Sequence, residues 1–200
     1  MKILIATHNQ AKFEEIKWGL NDLESLEIFS LRDFKISESP EEDGETFKEN
    51  AYKKAKFYSE ITKISTIADD GGLIIPYLNG EPGVKSRRWL GYEASDDELI
   101  NYTLEKLKDA KGDERLAYLT TCICFYDPQK EILIFEEENV EGYIAFEPSK
   151  NRIPNYPFRS LFIVKKFNKY YDELSEGEHL EVNHRLKALF RLKEKISKFI

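Results

Sequence analysis

Two adjacent carboxylates, Asp69 and Asp70, end a short β-branched run and are followed by two glycines. The run predicts a strand that delivers both acids to a tight turn at its C-terminal end, where α/β proteins usually bind ligands. Carboxylates in that position suit a hard, hydrated Mg²⁺ ion and a water molecule to be activated. The alternative is an ordinary Asp-Asp-Gly turn, which this segment alone favours.

A second candidate site lies at the N-terminus, where residues 2–6 predict a buried strand that runs directly into a helix. A strand that breaks into a helix through Thr and Asn presents free amide hydrogens and the positive end of the helix dipole. Lys12 adds a full charge one turn in, so the segment is typical of phosphate binding. A capped helix with an exposed lysine is the alternative. The candidate phosphate-binding residues are Thr7, His8, Asn9, Gln10, Ala11 and Lys12, and the candidate buried helix positions are Phe13, Ile16, Trp18 and Leu20.

The third segment, residues 41–51, combines a helix start with crowded acidic residues. Thr46 and Glu49 have capping-box spacing, which predicts a helix from Phe47. Capping explains Glu49 but not the acidic loop before it, because clustered carboxylates repel unless they are solvated or neutralised by a cation. The loop is therefore either a metal-binding or a solvated segment. It contains Glu41, Glu42 and Asp43, and the predicted inner helix face carries Phe47, Ala51, Ala55 and Tyr58.

A basic segment, residues 81–91, places three cationic side chains around Ser86. Cations near an acidic metal site suit a polyphosphate, although a surface patch has the same composition.

In this order, the segments resemble the inosine triphosphate pyrophosphatase family, which removes non-standard purine nucleoside triphosphates. The resemblance covers almost the whole chain. The matching pieces are Thr7-x-Asn9-x-x-Lys12, Glu41-Glu-x-Gly-x-Thr-Phe-x-Glu-Asn-Ala-x-x-Lys54-Ala, Ala68-Asp-Asp-x-Gly-Leu73, Pro82-Gly-Val-x-Ser and Asn183-His-Arg185.

The resemblance implies Mg²⁺-dependent hydrolysis of a nucleoside triphosphate between the α and β phosphates. It makes Asp70 the proton acceptor and a metal ligand, with Glu41 as a second ligand and Asp69 in support. It assigns residues 7–12 to the triphosphate. The other implied substrate-binding residues are Lys54, Gly71, His184 and Arg185, the last two at the base. The alternative for that pair is a polar helix end with Arg185 in surface contacts.

The chain departs from the family pattern in the segment that would bind the base. In the stretch 155–160, Tyr156 retains an aromatic ring that can stack on a base. Arg159 stands where the family has Asp, and His179 aligns with a substrate-binding Lys. We therefore expect either that the preferred base differs from that of the family or that Arg159 contacts a phosphate group of the substrate. The alternative is a nucleotide-binding or regulatory protein on the same scaffold that has lost turnover.

These segments require alternating strands and helices. We expect one α/β domain over residues 1–200, with a long mixed, twisted sheet and flanking helices; the resemblance adds two lobes around a central cleft and a homodimer. The later elements predicted are a helix at 95–107, strands at 116–126 and 131–135 with a continuation at 142–146, and a final helix bearing Val182, Leu186, Leu189, Ile196 and Ile200.

Composition narrows the function classes. The net charge of −7 argues against general nucleic-acid binding. Cys122 and Cys124 alternate along a strand and are expected to be packed thiols, because only three His accompany them as metal ligands. The chain shows neither a signal-peptide pattern nor a membrane-length apolar run, so we expect a cytoplasmic protein without membrane contact.

Overall fold

The computed structural model describes residues 1–199, which form an α/β fold. The strands are β1 (Lys2–Ile5), β2 (Glu27–Ser30), β3 (Ser65–Ile74), β4 (Leu116–Asp127), β5 (Ile132–Ile144), β6 (Phe162–Val164) and β7 (Lys169–Tyr170). The helices are α1 (Gln10–Gly19), α2 (Phe47–Thr62), α3 (Asp96–Lys106), α4 (Glu176–Val182) and α5 (His184–Ile196).

The strands form one mixed sheet in the order β2-β1-β3-β4-β5-β6-β7. Strand β1 pairs in parallel with both β2 and β3, whereas β6 pairs antiparallel with β5 and β7. Parallel pairing of β1 and β3 requires a crossover, which the intervening helices provide. The predicted α/β class with a mixed sheet is confirmed.

Strand β3 corrects one expectation, because it continues through the acidic pair and both glycines instead of turning there. The absence of a side chain at Gly72 matters here, since a Cβ at that position would collide with Ser86. Successive side chains of a strand point to opposite faces, so Asp69 and Asp70 cannot share one face of the sheet.

The chain divides into two compact units. The first comprises residues 1–71, 121–138 and the segment from 184 onward. Its strands are covered on both faces: Ile3 and Ile5 belong to a cluster with residues of α1 and α5, while Leu4 belongs to a cluster with residues of α2. This alternation follows from the two-residue period of a strand.

The second unit comprises residues 72–120 and 139–183, with its own apolar core around α3, β6 and the 3₁₀ turn at 157–161. Arg115 is buried there and donates hydrogen bonds to the carbonyls of Leu107, Ile144 and Ala145. The boundary of a single domain over residues 1–200 stays a prediction.

Most predicted elements occur with small changes. The Ser95 capping box begins α3, and the two strand segments predicted after residue 131 are one strand, β5. On α1, Ile16 and Leu20 are buried as predicted, but Trp18 is 49% exposed and faces Phe190. That part of the burial prediction was wrong.

The C-terminal helix was predicted as one element and is two, because the chain leaves helical geometry at Asn183. Val182 therefore belongs to α4, while Leu186, Leu189 and Ile196 are buried on α5. Ile200 lies outside the described residues.

The two cysteines are buried in the core beside α2, as predicted for packed thiols. Burial raises the pKa of Cys122 to about 12 and raises that of Cys124 as well. Among residues 1–199, no helix combines the length and apolarity needed to cross a membrane.

Candidate functional site

The start of α1 follows directly from β1 and is capped by Asn9. Its Oδ1 accepts the amide hydrogens of Ala11 and Lys12, at 2.9 and 3.2 Å. The expectation of free amides therefore fails for these two groups, since the cap satisfies them. The helix dipole and the Lys12 ammonium remain as sources of positive potential.

Lys12 turns toward β3 and is not the exposed lysine of the alternative interpretation. Its Nζ lies 2.9 Å from Oδ2 of Asp69, and its side chain is 21% exposed. Burial lowers the pKa of Lys12, an effect that the charge of Asp69 opposes. The ion pair thus fixes the first turn of α1 beside the acidic strand.

Asp69 is held by two cations on this face of β3. Besides Lys12, it accepts a hydrogen bond from Nε of Arg185 at 3.1 Å, and Arg185 donates a second bond to Glu15 on α1. Burial raises the pKa of Asp69, but the charges of Lys12 and Arg185 outweigh it and leave the pKa well below its usual range. Asp69 is thus an ionised structural partner of two cations.

Asp70 projects to the opposite face and meets α2. Its Oδ2 accepts a hydrogen bond from Nδ2 of Asn50 at 3.1 Å, and its Oδ1 lies 3.3 Å from Nζ of Lys54. Burial raises the pKa of Asp70 despite the nearby Lys54 charge. A buried carboxylate with a raised pKa is a better proton acceptor than an ordinary aspartate.

The acidic loop reaches Asp70 through Lys54. Nζ of Lys54 lies 3.0 Å from Glu42, so one ammonium bridges Glu42 and Asp70. Asp43 pairs with Lys53 on the outer side of α2, and Glu41 is exposed. Glu42 therefore shares the Lys54 ammonium with Asp70, and the prediction that Glu41 binds a metal ion stays a prediction.

The rest of the predicted phosphate segment makes local contacts. Thr7 Oγ1 accepts the Asn9 amide, and Gln10 donates to Glu14. Nε2 of His8 lies 3.2 Å from the hydroxyl of Tyr58, which connects the segment to α2. Gly71, also predicted to line the site, is a half-buried residue of β3.

The donor set suits Mg²⁺ better than a metal that needs a complete protein cage. Across residues 1–199, no three His, Cys, Asp or Glu side chains converge closely enough to form such a cage. Mg²⁺ usually binds one or two carboxylates and completes its shell with phosphate oxygens and water. Asp70 and the acidic loop fit that requirement, whereas Asp69 faces Lys12 and Arg185 on the other side of β3. The prediction that Asp69 joins Asp70 on one ion disagrees with this geometry.

Three predicted base-contacting residues belong to the second unit. Arg159 is only 9% exposed, with its guanidinium 3.9 Å from the ring centre of Tyr156 and 4.9 Å from that of Tyr171. Its Nη2 has no hydrogen-bond partner within the described residues. The ring of His179 meets Tyr171 edge-on at 5.1 Å. A surface position for Arg159 is therefore excluded.

Asp172 lies in the same unit and feels the Arg159 charge. Burial raises the pKa of Asp172 to about 6, although Arg159 opposes the shift. Tyr156 also lines a pocket of about 460 Å³ with residues of α3, including Asp96, which pairs with Arg87 at 2.6 Å. Arg87 is the only cation of the basic segment that lines this pocket, and the carboxylate of Asp96 neutralises its charge.

His184 and Arg185 occupy the first turn of α5 and are each 5% exposed. Arg185 was expected either to contact a base or to make surface contacts. In the structure its guanidinium is bound by Asp69 and Glu15 inside the first unit. Surface contacts are therefore excluded, and contact with a base stays a prediction.

Sequence reasoning missed Asn50 and Glu15 as contributors to this arrangement. Asn50 carried a detectable signal, because it precedes Lys54 by four residues and so lies on the same helical face. An asparagine among the buried alanines of that face requires hydrogen-bond partners. Glu15 carried no comparable signal, since its partner Arg185 is distant in sequence.

The chain is similar to known proteins over nearly its whole length. The chain is 39% identical to the dITP/XTP pyrophosphatase of Thermoanaerobacter sp. (strain X514) over 99% of this chain and 98% of that protein. It is 36% identical to the dITP/XTP pyrophosphatase of Haemophilus influenzae, over 98% of both chains. The structure of a HAM1 protein from Coxiella burnetii superposes with a TM-score of 0.88 at 31% identity, covering 99% of each chain. The Staphylococcus aureus Ham1 protein gives a TM-score of 0.86 at 28% identity over both full chains. Since the Ham1 family model also matches residues 3–195, the chain belongs to the Ham1 family.

Proposed function

We propose that the protein is a nucleoside-triphosphate pyrophosphatase that hydrolyses non-standard purine nucleotides such as ITP, dITP and XTP to the monophosphate and pyrophosphate. Its similarity to dITP/XTP pyrophosphatases over nearly its whole length supports this activity. The observation that carries the proposal is the 2.9 Å contact between Lys12 and Asp69. It holds a phosphate-type helix start beside the strand that bears Asp70.

The reaction needs a water molecule that attacks the α-phosphorus. A bond forms between the water oxygen and the α-phosphorus, and the bond from that phosphorus to the oxygen bridging to the β-phosphate breaks. Asp70 takes the proton of the water, and pyrophosphate leaves. Asp70 suits this role because Asn50 and Lys54 hold its carboxylate in a defined orientation on β3.

The first turn of α1 is the proposed triphosphate-binding segment, comprising Thr7, His8, Asn9, Gln10, Ala11 and Lys12. Lys12 and Lys54 supply positive charge close to the two aspartates. Fixed cations of this kind stabilise the charge that develops on the phosphate oxygens during the reaction.

Asp70 and Glu41 are the proposed ligands of Mg²⁺, and Glu42 shares the Lys54 ammonium with Asp70. When bound, the ion supplies Lewis-acid stabilisation of the phosphate oxygens and lowers the pKa of a bound water. Asp69 is left out of the ligand set, because it is bound by Lys12 and Arg185.

The substrate-binding residues that the resemblance implies lie in each unit: Gly71, His184 and Arg185 in the first, and Tyr156, Arg159 and His179 in the second. Tyr156 offers a ring for stacking. The net charge of −7 favours free nucleotides over nucleic acid as the substrate. Family resemblance supports a homodimer acting in the cytoplasm, which light scattering and cell fractionation test.

A pyrophosphate-release screen tests the activity directly. The full-length protein is incubated with Mg²⁺ and each of ITP, dITP, XTP, GTP, ATP and CTP, and the products are separated by anion exchange. We expect ITP and XTP types to yield the monophosphate and pyrophosphate. Binding of these nucleotides without turnover would instead establish the regulatory alternative.

Arg159 tests the basis of specificity in the same screen. A guanidinium donates hydrogen bonds and accepts none, so it favours a carbonyl or ring-nitrogen acceptor, or a phosphate. We expect Arg159→Asp to change the order of kcat/KM among inosine, xanthosine and guanosine triphosphates. An unchanged order would reject a base-reading role for this residue.

A further inference from the structure

Asn50 is a fully buried amide that joins two parts of the candidate site. It lies in the first turns of α2 and is 0% exposed. Its Nδ2 donates a hydrogen bond to Oδ2 of Asp70 at 3.1 Å. Its Oδ1 accepts a hydrogen bond from the backbone amide of Gly44 at 2.8 Å. One side chain therefore contacts both the proposed base and the end of the acidic loop.

The two partners determine which way the amide points. The Gly44 N–H can only donate, so the atom facing it must be the oxygen, and the NH₂ group then faces Asp70. A side chain of this length that donates at one atom and accepts at the other is Asn. Aspartate would lack the donor, and an aliphatic residue would leave a buried N–H and a buried carboxylate without partners.

Gly44 is shaped to receive this amide. A Cβ at position 44 would lie 2.6 Å from Oδ1 of Asn50 and 2.9 Å from Cβ of Glu49, closer than atoms pack. The glycine thus allows the loop to approach α2 closely enough for its N–H to reach Asn50. Because Glu41, Glu42 and Asp43 come immediately before Gly44, this contact also determines where the acidic loop ends.

A second connection runs parallel to the first. Lys54, one turn after Asn50, lies 3.0 Å from Glu42 and 3.3 Å from Asp70. The ammonium is a mobile point charge that a divalent cation can displace, whereas the Asn50 amide makes directional bonds that persist when the charges change. Asn50 is therefore the side chain that holds the acidic loop at a fixed position relative to Asp70.

We propose that Asn50 is a positioning residue that sets the separation between the acidic loop and Asp70, and through it the affinity of the site for a divalent cation. The inference deepens the proposed function and rests on it for the identity of the cation as the one used in hydrolysis. Side chains that orient metal ligands typically change metal affinity by about 10- to 100-fold when they are removed.

The test measures Mn²⁺ binding without nucleotide, from the electron paramagnetic resonance signal of free Mn²⁺ titrated with protein. The variants are Asn50→Ala, Asn50→Ser and Gly44→Ala, the last of which pushes the amide away without removing it. Ser59→Ala is the matched control, because Ser59 is also buried on α2 but its hydroxyl donates its hydrogen bond to the Lys56 carbonyl of the same helix. Binding of inorganic tripolyphosphate in EDTA is measured by calorimetry on the same proteins.

We expect Asn50→Ala and Gly44→Ala to raise the Kd for Mn²⁺ by about tenfold or more. The Kd for tripolyphosphate should stay within about twofold, because that ligand is assigned to the start of α1. The Mg²⁺ concentration for half-maximal hydrolysis should rise in parallel, while Ser59→Ala behaves like the native protein. If Asn50→Ala does not fold, Gly44→Ala and Asn50→Ser carry the comparison.

A native Kd for Mn²⁺ in the variants would overturn the proposal, as would an equal loss of Mn²⁺ and tripolyphosphate binding, which indicates general disruption. Failure of the proposed function gives a different result. A native protein that hydrolyses none of the nucleotides contradicts that function, while the Mn²⁺ comparison still decides the role of Asn50.

Discussion

Asp69 and Asp70 are adjacent in the chain but have different partners, because a strand directs them to different faces. Asp69 meets Lys12 and Arg185, which depress its pKa. Asp70 meets the Asn50 amide and Lys54, and its burial raises its pKa. Asp69 thus holds the side chains of Lys12 and Arg185 in place, and Asp70 remains suited to accepting a proton.

The first prediction concerns Asp70. We expect Asp70→Asn to lower kcat by roughly 10²-fold or more, because the amide keeps the shape of the side chain but cannot accept the proton. Asp127→Asn is the control, since Asp127 is a buried aspartate of the same unit that caps a turn at the end of β4. Near-native turnover of Asp70→Asn at saturating Mg²⁺ would show that another group is the base.

Lys12 gives a prediction about binding. Lys12→Ala should weaken the binding of ITP far more than that of inosine, because the ammonium is assigned to the phosphates and not to the base. Calorimetry of both ligands checks this, with the exposed Lys17→Ala on the same helix as a control. Equal losses for the two ligands would place Lys12 in general folding.

Helix α2 matters at the next scale, because it carries both side chains that contact Asp70. Asn50 and Lys54 are four residues apart and lie on the same face. The helix begins where Thr46 Oγ1 accepts the amide hydrogen of Glu49 at 3.1 Å. The residue at which the helix starts therefore determines where along β3 the side chains of Asn50 and Lys54 reach.

Removing this cap tests the importance of the helix start. Thr46→Ala should reduce the free energy of unfolding by about 1 kcal/mol, because one amide of the first turn loses its acceptor. For a chain of this size the melting temperature should fall by roughly 2–4 °C. Thr62→Ala, at the opposite end of α2, is the control, since its hydroxyl bonds to a carbonyl within the helix. Equal melting temperatures for Thr46→Ala and the native protein would contradict the capping role.

At the largest scale, the two compact units have separate cores, and the second contains an unusual acid. Asp172 has a pKa of about 6 in the folded protein, because burial disfavours its charge, against an ordinary value of 3.8. Between these two pH values the folded protein holds a proton that the unfolded chain has lost. Stability from this group is therefore fully present below pH 4 and is lost as the pH rises through 6.

The corresponding prediction compares the native protein with Asp172→Asn by urea unfolding at pH 4, 5, 6 and 7. The free energy of unfolding of the variant, relative to the native protein, should rise across this range and level off above pH 6. Other titrating groups cancel in the difference, and the exposed Asp109→Asn provides the control. If this difference in the free energy of unfolding did not change with pH, a raised pKa of Asp172 in the folded protein would be excluded.

Local patterns were sufficient to predict the elements and the residue types at the site. Continuous apolar and β-branched runs predicted β1 and the first part of β3, and capping residues predicted the starts of α2 and α3, because both signals depend on nearby residues. The same reasoning identified Asp70 and Lys12 as candidates, and the family resemblance added Lys54. It failed at Asn183, where the apolar stripe continues across a break between α4 and α5 that hydrophobic periodicity does not register.

Which side chains pair with each other at the site depended on contacts between residues far apart in the chain. Whether Asp69 and Asp70 share a ligand depends on whether the strand turns or continues, and β3 continues beside its neighbours in the sheet. Glu15 and Asp69 meet Arg185 only because α1 and α5 pack on the same face of that sheet. Composition and periodicity thus specify which groups a segment offers, whereas the packing of distant segments sets their distances and charges, and hence their chemistry.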